Sequence, residues 1–370
     1  MTIIRSIDRR LHRNLDMLAR PVVLSATGAM LLGLATTPIA HAGIVTISHD
    51  SFDQVMLDDA NFSLMVTEFG SIHTTHSSVI TMSDSMLGSI SNMGMIMSDE
   101  ASALELENDV QIKGDITNQG TLRGDIGISM RSLEMSGSIT NKSGGVIEGD
   151  SWAMWMKWSA IIDGEIINEG TILGSIHMLA YMPDEETGTK FINTGTIDFG
   201  SATNSMLSGD FAHNGGVLMC ELTNQTPFTG TNPALFVDAE GEIDGGNLEV
   251  SIGKGLSVGP DDAWTVIETG SGLNGAFANA TEGKVLGVVG DYELTLRYHD
   301  SYVNIVTEPK PACPGDFDGT GTINGGDLGV LLNNWGACGT GPCPTDLNYD
   351  GVTNGADLGS FISNWGNCNG

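Results

Sequence analysis

A sequence motif that returns at intervals of about 25 residues constrains the fold of this chain more than any other feature. Residues 112–126 and 162–176 share the pattern I-x-G-[DE]-I-x-N-x-G-T-[LI]-x-G-[DS]-I, 50 positions apart. Weaker copies lie between and around them, and their corner asparagines follow one another at offsets of 26, 23, 27, 25 and 21 along the chain. The offset of 50 therefore spans two turns of one repeat. The corner asparagines are Asn92, Asn118, Asn141, Asn168, Asn193 and Asn214.

Each repeat places Ile, Leu, Val or Met at alternate positions, which turns one side of a short strand inward. The N-x-G-T corners turn the chain, because asparagine and glycine tolerate positive φ. A unit this short cannot bury its apolar row alone, but coils stacked about 4.8 Å apart form a continuous apolar column. The sequence therefore predicts a mainly β chain, with a right-handed parallel β-solenoid over residues 43–306. A β-sandwich with irregular hairpins is the alternative, and the in-register match of 15 residues argues against it.

The C-terminal end of the predicted solenoid has two features of its own. Residues 292–298 and 302–308 alternate in polarity around a short polar turn, which predicts a hairpin that caps the open end of the stack. Residues 307–315 contain three prolines and no periodicity, which indicates a linker to a separate C-terminal module.

The N-terminus has the pattern of an export signal. Five arginines lie within residues 1–20, an apolar run follows, and Ala40-His41-Ala42 forms a small-residue cleavage site. This pattern predicts a signal peptide over residues 1–42, with a membrane anchor as the alternative. No other stretch is apolar enough to span a bilayer, so we expect no transmembrane segment after removal of the signal.

The predicted mature chain is strongly acidic. Removal of residues 1–42 leaves 10 Lys and Arg residues against 44 Asp and Glu residues, a net charge of −34. A surface with this charge repels nucleic acid and anionic lipid and attracts cations. We therefore expect no nucleic-acid partner, and calcium is the cation that such a surface would meet outside the cell.

Two stretches near the C-terminus repeat one pattern of oxygen-bearing side chains at an offset of 30. They read DFDGTGTINGGDL from residue 316 and DLNYDGVTNGADL from residue 346, with Gly321 and Gly351 at the sixth position. Positions 1, 3, 5, 7, 9 and 12 supply the ligands of an EF-hand calcium loop, and position 6 requires glycine for a sharp turn. The sequence thus predicts two Ca²⁺ sites, with backbone carbonyls as ligands at position 7. The ligand residues are Asp316, Asp318, Thr320, Thr322, Asn324 and Asp327 in the first loop, and Asp346, Asn348, Asp350, Val352, Asn354 and Asp357 in the second.

Each loop leads into a short amphipathic helix, predicted over residues 328–336 and 358–366. This duplicated loop–helix unit, residues 316–370, resembles the type I dockerin domain, which docks exported enzymes onto a cohesin partner. The resemblance implies a small α-helical calcium module and a cohesin-like or cell-envelope partner. Glycine and alanine at residues 325–326 and 355–356 replace the Ser/Thr pair that is common in the family, which argues against the usual cohesin contact. Thr320 replaces an acid, so we expect the first loop to bind calcium more weakly than the second.

Four of the five cysteines lie in the last sixty residues. In an exported chain, such clustering favours disulfide bonds over a zinc site. If the two loop–helix units of the dockerin-like module pack antiparallel, the start of each lies near the end of the other. That packing favours Cys313–Cys368 and Cys338–Cys343 over the other two connectivities. Cys220 stands apart in the sequence, and we expect a buried free thiol there.

The INxGTI corners over roughly residues 90–215 resemble the passenger β-helices of bacterial autotransporters and related exported repeat proteins. Residues 264–283 also look like the end of such a passenger. The resemblance implies a shared β-helix scaffold that supplies length and surface area, and it does not imply a shared export route.

Parallel β-helices also host polysaccharide lyases and hydrolases, so a role in polysaccharide chemistry is the second hypothesis. Residues 151–160 hold three candidate carbohydrate contacts, Trp152, Trp155 and Trp158, since sugar rings stack on aromatic faces. The alternative is that these indoles pack against the solenoid. No G-x-S-x-G, H-E-x-x-H or phosphate-loop motif occurs, and we predict no catalytic residue.

Taken with the export signal, these patterns predict a secreted or cell-surface protein that binds calcium. The solenoid would serve as a spacer or adhesive surface, docked through the dockerin-like module to a partner protein or to the cell envelope. The alternative is a protein that degrades or binds polysaccharide and is attached through the same module. A groove with clustered carboxylates and a cation would favour the enzyme, and dispersed charges would favour the structural role.

Overall fold

The computed structural model describes residues 22–25, 43–51, 54–58, 62–83, 86–157, 160–179, 189–201, 205–224 and 233–368. Trp158 lies outside the described residues, as does the predicted signal peptide apart from residues 22–25.

The described residues form 37 strands and two α-helices, numbered in chain order. The first strands are β1 Val22–Ser25, β2 Gly43–Ile47, β3 Asp50–Ser51, β4 Val55–Asp58, β5 Phe62–Val66, β6 Ser71–Thr74, β7 Ile80–Ser83, β8 Met86–Asn92, β9 Met95–Ser98, β10 Ser102–Leu106, β11 Val110–Ile112, β12 Ile116–Asn118, β13 Thr121–Arg131, β14 Leu133–Met135, β15 Ile139–Asn141, β16 Val146–Lys157, β17 Ile161–Ile162 and β18 Ile166–Asn168. They are followed by β19 Thr171–Leu173, β20 Ile176–Met178, β21 Phe191–Asn193, β22 Thr196–Asp198, β23 Ser205–Leu207, β24 Phe211–His213, β25 Val217–Leu222, β26 Leu235–Val237, β27 Glu240–Asp244, β28 Asn247–Ile252, β29 Ala263–Thr269, β30 Gly272–Ala276, β31 Val285–Val289, β32 Tyr292–Tyr298 and β33 Tyr302–Pro309. The C-terminal module contains β34 Thr322–Ile323, α1 Gly325–Asn333, β35 Gly336–Ala337, β36 Val352–Thr353, α2 Gly355–Ser363 and β37 Gly366–Asn367.

Successive coils of the chain stack in parallel and form two long sheets. Within one coil, β12 belongs to one sheet and β13 to the other. β12 pairs with β8 and β15, one coil before and one coil after it, and β13 pairs in the same way with β9 and β16. This pairing confirms the prediction of a mainly β chain with the parallel, coil-on-coil sheets that a solenoid requires. β1, inside the predicted signal peptide, pairs in parallel with β4.

An apolar column runs through the stack, because the same inward position returns in every coil. Leu122 lies between Ile96 of the preceding coil and Ile147 of the following coil. The column continues through Ile172 and Ile197, and each of these side chains is at most 2% exposed. Each coil therefore buries its apolar row against two neighbours, as the repeat length predicts.

A row of buried asparagines, here called the asparagine ladder, runs beside this column. Its members occupy equivalent register positions in five successive coils, are at most 2% exposed, and are Asn92, Asn118, Asn141, Asn168 and Asn193. The Nδ2 of each asparagine donates to the Oδ1 of the next one at 2.7–2.8 Å. Each Nδ2 also donates to a backbone carbonyl at the corner. The burial of these amides is therefore compensated by hydrogen bonds.

The asparagine ladder ends at His213, and the prediction that Asn214 is the corner asparagine equivalent to Asn193 is wrong. Phe211 pairs with Phe191, and this pairing places His213 in register with Asn193. Asn214 consequently lies one residue beyond the ladder position. The sequence pattern could not settle this, because a histidine followed by an asparagine offers two candidates for one inward position.

His213 terminates the ladder as a neutral hydrogen-bond acceptor. It is fully buried, and its Nδ1 lies 2.9 Å from Asn193 Nδ2. Because that amide donates, Nδ1 accepts and the ring proton is on Nε2. Burial lowers the pKa of His213 to about 4, which keeps the ring uncharged. The next coil presents Ile243 at this position, so the amide row stops here.

The corner glycines allow close approach between coils, and the prediction that the corners use positive φ at asparagine and glycine is wrong, since Gly94, Gly120, Gly170 and Gly195 lack it too. None of the five ladder asparagines has a positive φ, since each one ends a strand segment. A Cβ added at Gly120 would lie 1.9 Å from the carbonyl oxygen of Gly94, and one added at Gly195 would lie 2.2 Å from that of Gly170. Glycine is required here by the spacing of the stack.

The sequence match between residues 112–126 and 162–176 breaks near its end. β13 and β16 change register between Gly124 and Ile126. After this bulge Ile128 pairs with Met154, which in turn pairs with Ile176. The structural equivalent of Ile176 is therefore Ile128, two residues beyond the predicted Ile126, because a bulge inserts residues that the sequence pattern does not register.

Antiparallel strands close the C-terminal end of the stack and form what we call the cap, β29 with β31–β33. β32 pairs with β33, which confirms the predicted hairpin, and β33 joins the main sheet by pairing with β29. β33 extends to Pro309, which pairs with Tyr292, and the Lys310 N–H donates to the Asp291 carbonyl. The prediction that the linker begins at residue 307 is therefore wrong, because cap hydrogen bonds hold the chain through residue 310.

Protonation of His213 should destabilise the solenoid. Its pKa falls from an ordinary value of 6.5 to about 4 on folding, so the unfolded chain binds this proton more tightly. The free energy of unfolding should therefore decrease as the pH falls from 6.5 to about 4, by up to about 3 kcal/mol. The variant His213→Asn extends the ladder with a neutral amide. It should therefore lose this part of the pH dependence of the free energy of unfolding. Denaturation midpoints of both proteins across this pH range test the prediction, and parallel curves would contradict it.

Candidate metal centre

The C-terminal module consists of two loop–helix units of one design. The first loop, residues 316–327, leads into α1, and the second loop, residues 346–357, leads into α2. Each helix has nine residues. Within the described ranges, neither has the length and apolar character needed to cross a bilayer.

Both helices begin three residues earlier than predicted and end before their tryptophans. The side chain of Asn324 accepts from the Gly326 N–H, and the side chain of Asp327 accepts from the Asn324 N–H. Asn354 and Asp357 form the same capping box in α2. A capping box satisfies free N–H groups of the first turn and so defines where the helix starts. The sequence signal was the N-x-x-D spacing inside each loop.

The two units pack so that the end of each meets the start of the other. β34 in the first loop pairs with β37 after α2, and β35 after α1 pairs with β36 in the second loop. This packing brings together the four clustered cysteines, which form the disulfide bonds Cys313–Cys368 and Cys338–Cys343. The connectivity is the one that the sequence analysis favours.

A small apolar core lies between the two units. Ile323, Leu331 and Phe361 are its buried members, and the rings of Phe317 and Phe361 stack with centroids 6.0 Å apart. A core of this size supplies little burial energy, so a module like this depends on disulfides, on bound metal, or on both.

The acidic side chains of the first loop converge on one point. Asp316, Asp318 and Asp327 each bring a carboxylate oxygen within 4.8 Å of the others. Thr320 N–H donates to Asp316 Oδ1 at 3.0 Å and Gly321 N–H donates to Asp316 Oδ2 at 2.7 Å, which orients this carboxylate. Gly321 has a φ of +77°, as its place at the sixth position requires. Converging hard oxygens are the donor set that Ca²⁺ prefers.

Backbone N–H groups hold Asp327 in place. It is fully buried, and its Oδ1 accepts from the N–H groups of Phe317 at 2.7 Å and Asp318 at 3.1 Å. Its Oδ2 accepts from the Asn324 N–H at 3.0 Å. Burial acts to raise the pKa of Asp327, but these N–H groups outweigh burial and hold the pKa below its usual value. The carboxylate is therefore ionised and preorganised for a cation.

The second loop repeats this hydrogen-bond network at the same offset of 30 along the chain. Asp346 accepts from the N–H groups of Asp350 at 3.1 Å and Gly351 at 2.7 Å. Asp357 is fully buried and accepts from the Asn348 N–H at 3.2 Å. Gly351 has a φ of +86°, as predicted for its position. The two loops therefore have equivalent backbone geometry around their predicted ligands.

The asparagines at position 9 serve mainly as helix caps. Asn324 Nδ2 donates to the Thr322 carbonyl at 3.0 Å, and its Oδ1 is occupied by the Gly326 N–H. Asn354 Nδ2 makes the matching contact to the Val352 carbonyl at 3.3 Å. Each Oδ1 and each of these backbone carbonyls accepts one hydrogen bond and retains a second lone pair, so that both could ligate a metal, at position 9 directly or through water.

The loops differ at positions 3 and 5. The first loop has Asp318 followed by Thr320, whose hydroxyl donates to the Asp318 carboxylate at 2.7 Å. The second has Asn348 followed by Asp350, whose carboxylate accepts from the Asn348 amide at 2.9 Å. Each loop thus holds three carboxylates. The expected weakness of the first loop rests on its hydroxyl ligand and not on a smaller charge.

The candidate carbohydrate contacts lie on a strand of the solenoid. Trp152 and Trp155 are half-buried residues of β16. The ring of Trp152 lies 4.9 Å from the ring of His177, and Lys157 Nζ lies 5.6 Å from the centre of the Trp155 ring. The structure brings these two indoles to one region of the sheet, and Trp158 lies outside the described residues.

Cations and histidines of the solenoid pair with acids on neighbouring coils. Five such pairs are spread along the stack, between residue 73 and residue 169. They are Arg123–Glu148, Arg131–Glu107, Lys142–Glu169, His73–Asp99 and His76–Glu100.

Cys220 is free and buried, as the sequence analysis predicts. Burial, followed by the nearby Asp198 carboxylate, raises the pKa of its thiol to about 12. The thiol therefore stays protonated and unreactive at neutral pH.

The C-terminal module exposes large apolar side chains that the sequence analysis did not predict to be on its surface. Leu332 and Ile362 are 52% and 57% exposed, and Trp335 and Trp365 are 48% and 51% exposed. The members of each pair are related by the same offset of 30, so the module presents two equivalent apolar patches. Their repetition was visible in the sequence, but their exposure depends on which helix face packs inward.

Comparisons with protein-family models, curated proteins and solved structures find no match for this chain. The function must therefore be argued from the residues and geometry of the chain itself.

The variant Asp346→Ala should lose more calcium affinity than Thr320→Ala. Asp346 is a charged ligand oriented by two N–H groups, whereas Thr320 offers a neutral hydroxyl. We expect a loss on the order of 100-fold at the affected site for Asp346→Ala, and less than roughly tenfold for Thr320→Ala. Calorimetric titration of residues 43–370 with Ca²⁺ measures both. Glu134→Ala, which removes an exposed charge from the solenoid, is the control, and the reverse order of losses would contradict the ligand assignment.

Proposed function

We propose that this chain is an exported, calcium-binding extracellular protein in which a solenoid body carries a docking module. The body acts as a spacer or adhesive surface, and the dockerin-like module attaches it to a partner protein or to the cell envelope. The observation that carries this proposal is the pair of equivalent acidic loops, each of which ends in a capped helix.

Calcium is the ion that the donor set fits best. The carboxylates of the first loop lie within 4.8 Å of one another, and the second loop has the same backbone network. A bound ion would join the start of each loop to the first turn of the following helix through these carboxylates. Sites with three carboxylates and exposed loops suit the roughly millimolar affinities of extracellular calcium modules. The carboxylates are Asp316, Asp318 and Asp327 in one loop and Asp346, Asp350 and Asp357 in the other.

The apolar patches of the module support a role in docking. Exposed tryptophan and large aliphatic side chains are enriched at protein interfaces and uncommon elsewhere on small soluble modules. Trp335, Trp365, Leu332 and Ile362 are each roughly half exposed. Since residues 325–326 and 355–356 lack hydroxyl groups, the partner would be recognised through apolar contact and not through a Ser/Thr pair. The partner is thus a folded protein with a complementary apolar surface.

An extracellular location agrees with the chemistry of the module. Disulfide bonds such as Cys313–Cys368 and Cys338–Cys343 persist in oxidising compartments. The predicted signal peptide over residues 1–42 provides the route of export, and the acidic surface suits a calcium-rich medium.

Docking can be tested with residues 43–370 immobilised and exposed to envelope proteins of the source cells. We expect a discrete protein to be retained in Ca²⁺ and released by a chelator, because the metal stabilises the module that carries the patches. A variant with both Leu332→Ser and Ile362→Ser should retain at least tenfold less of it. Phe69→Ser removes an apolar side chain that is 77% exposed on the solenoid and is the control. The docking role would be refuted if the amount of retained protein were the same with chelator as with Ca²⁺ and the same for the double variant as for the unaltered chain.

Polysaccharide binding is the second candidate, favoured by the two half-buried indoles on β16. The dispersed ion pairs of the solenoid favour the structural role over catalysis.

Under the second candidate, one member of a panel of acidic and neutral polysaccharides should be bound or cleaved, and Trp155→Ala should weaken that effect at least tenfold. The leading proposal expects neither binding nor turnover, with Trp264→Phe, a change at a buried indole, as the control for folding.

A further inference from the structure

A tyrosine inside the second metal loop contacts the solenoid cap. Tyr349 occupies position 4 of that loop, between the predicted ligands Asn348 and Asp350. Its hydroxyl donates to Glu293 Oε1 at 2.5 Å, and Glu293 lies on β32 of the cap. The contact joins residues 56 positions apart and links the two parts of the molecule directly.

The backbone at Tyr349 has a conformation that glycine usually adopts. Tyr349 has a φ of +60°, and its counterpart in the first loop, Gly319, has a φ of +68°. A bulky side chain in this region is a conformational outlier, and such outliers are retained where the surrounding structure requires them. The second loop therefore carries a tyrosine at a strained position where the first loop carries the favoured residue.

A second contact ties the module to the turn that precedes β31 of the cap. The Thr281 N–H donates to the Thr340 carbonyl at 2.9 Å, and Thr340 lies in the segment closed by the Cys338–Cys343 disulfide. The Cys338 N–H donates to the Gly351 carbonyl at 2.8 Å. The disulfide-closed segment and the second loop are thus joined, and together they contact the cap and the turn that precedes it.

The predicted ligands of the second loop border this junction. A cavity of about 980 Å³ lies between the cap and the module, and its walls include Glu293 and Glu308 from the cap and Asp346 and Asp350 from the loop. Lys284, Arg297 and Lys310 also line it, as does Asp316 of the first loop, and Arg297 pairs with Glu308. A divalent cation bound by Asp346 and Asp350 would offset the negative charge of these two carboxylates beside Glu293, the cap residue that Tyr349 contacts. Metal binding and attachment to the cap are therefore coupled by position and by charge.

We propose that Ca²⁺ binding in the second loop fastens the module to the solenoid cap through Tyr349 and Glu293, which makes the protein a calcium-dependent clasp. This inference rests on the proposed function, because it requires the second loop to bind calcium. Ligation on both sides of Tyr349 fixes its backbone and aims the phenol at the cap. Without the ion, the strained backbone relaxes and the module is released from the cap.

The first loop supplies an internal comparison. Gly319 has no side chain to reach the cap, and the hydrogen bonds described between module and cap involve Gly339, Thr340 and Tyr349. Calcium in the first loop should therefore stabilise the module without controlling its attachment.

Hydrogen exchange at the Thr281 amide tests the clasp, since this N–H donates across the junction. In the full chain with Ca²⁺ the amide should be protected, and chelation should raise its exchange rate at least tenfold. Tyr349→Phe should show the fast rate even in Ca²⁺, while calorimetry finds an unchanged calcium stoichiometry. Tyr349→Gly copies the first loop and should do the same without backbone strain. Glu293→Gln keeps an acceptor and should preserve much of the protection that Glu293→Ala removes.

Matched ligand variants separate the two loops. Asp350→Ala should speed hydrogen exchange at the Thr281 amide in Ca²⁺, whereas Asp318→Ala in the first loop should leave this amide protected. If calorimetry finds no calcium binding at either loop, the proposed function and the clasp fail together. If both loops bind calcium but Thr281 exchange is unaffected by chelation and by Tyr349→Phe, the clasp alone is overturned.

Discussion

Stacking of each coil on the next is the interaction on which the rest of the structure depends. Backbone pairing, the apolar column around Leu122 and the asparagine ladder all repeat once per coil, in the same register. A slip of one residue would expose the column and break the ladder together, so the two reinforce a single alignment. That alignment carries through to the cap, which in turn provides the surface against which the C-terminal module lies.

Much of this fold could be predicted because its cause is local and periodic. Alternating apolar residues and N-x-G-T corners recur at a near-constant interval, and one coil largely determines the next. The predictions were wrong at positions where contact with a neighbouring coil determines the register or the backbone conformation. His213, and not Asn214, occupies the ladder position, because the pairing of Phe211 with Phe191 sets the register. Glycine is required at position 120 because a Cβ there would collide with Gly94 of the neighbouring coil. The bulge before Ile126 likewise appears only when two strands are compared.

The geometry of the two acidic loops could be predicted for a different reason. Ligand positions in such a loop are defined by spacing along twelve residues, so the sequence alone contains the pattern, and the glycines at positions 321 and 351 have the positive φ that it requires. The capping box formed by Asn324 and Asp327 was present in the same spacing, but the sequence analysis considered these residues only as candidate ligands. The contact of Tyr349 with Glu293 could not be predicted, because it depends on how the module meets the cap.

The constancy of the asparagine ladder has an evolutionary consequence. Its Nδ2–Oδ1 distances stay between 2.7 and 2.8 Å, although the offset between successive members varies from 23 to 27. Length differences are thus absorbed at the periphery of each coil and never reach the amide row. Insertions and deletions in the outer loops can therefore leave the amide row in place, whereas a change in the length of the stack requires the gain or loss of a whole coil.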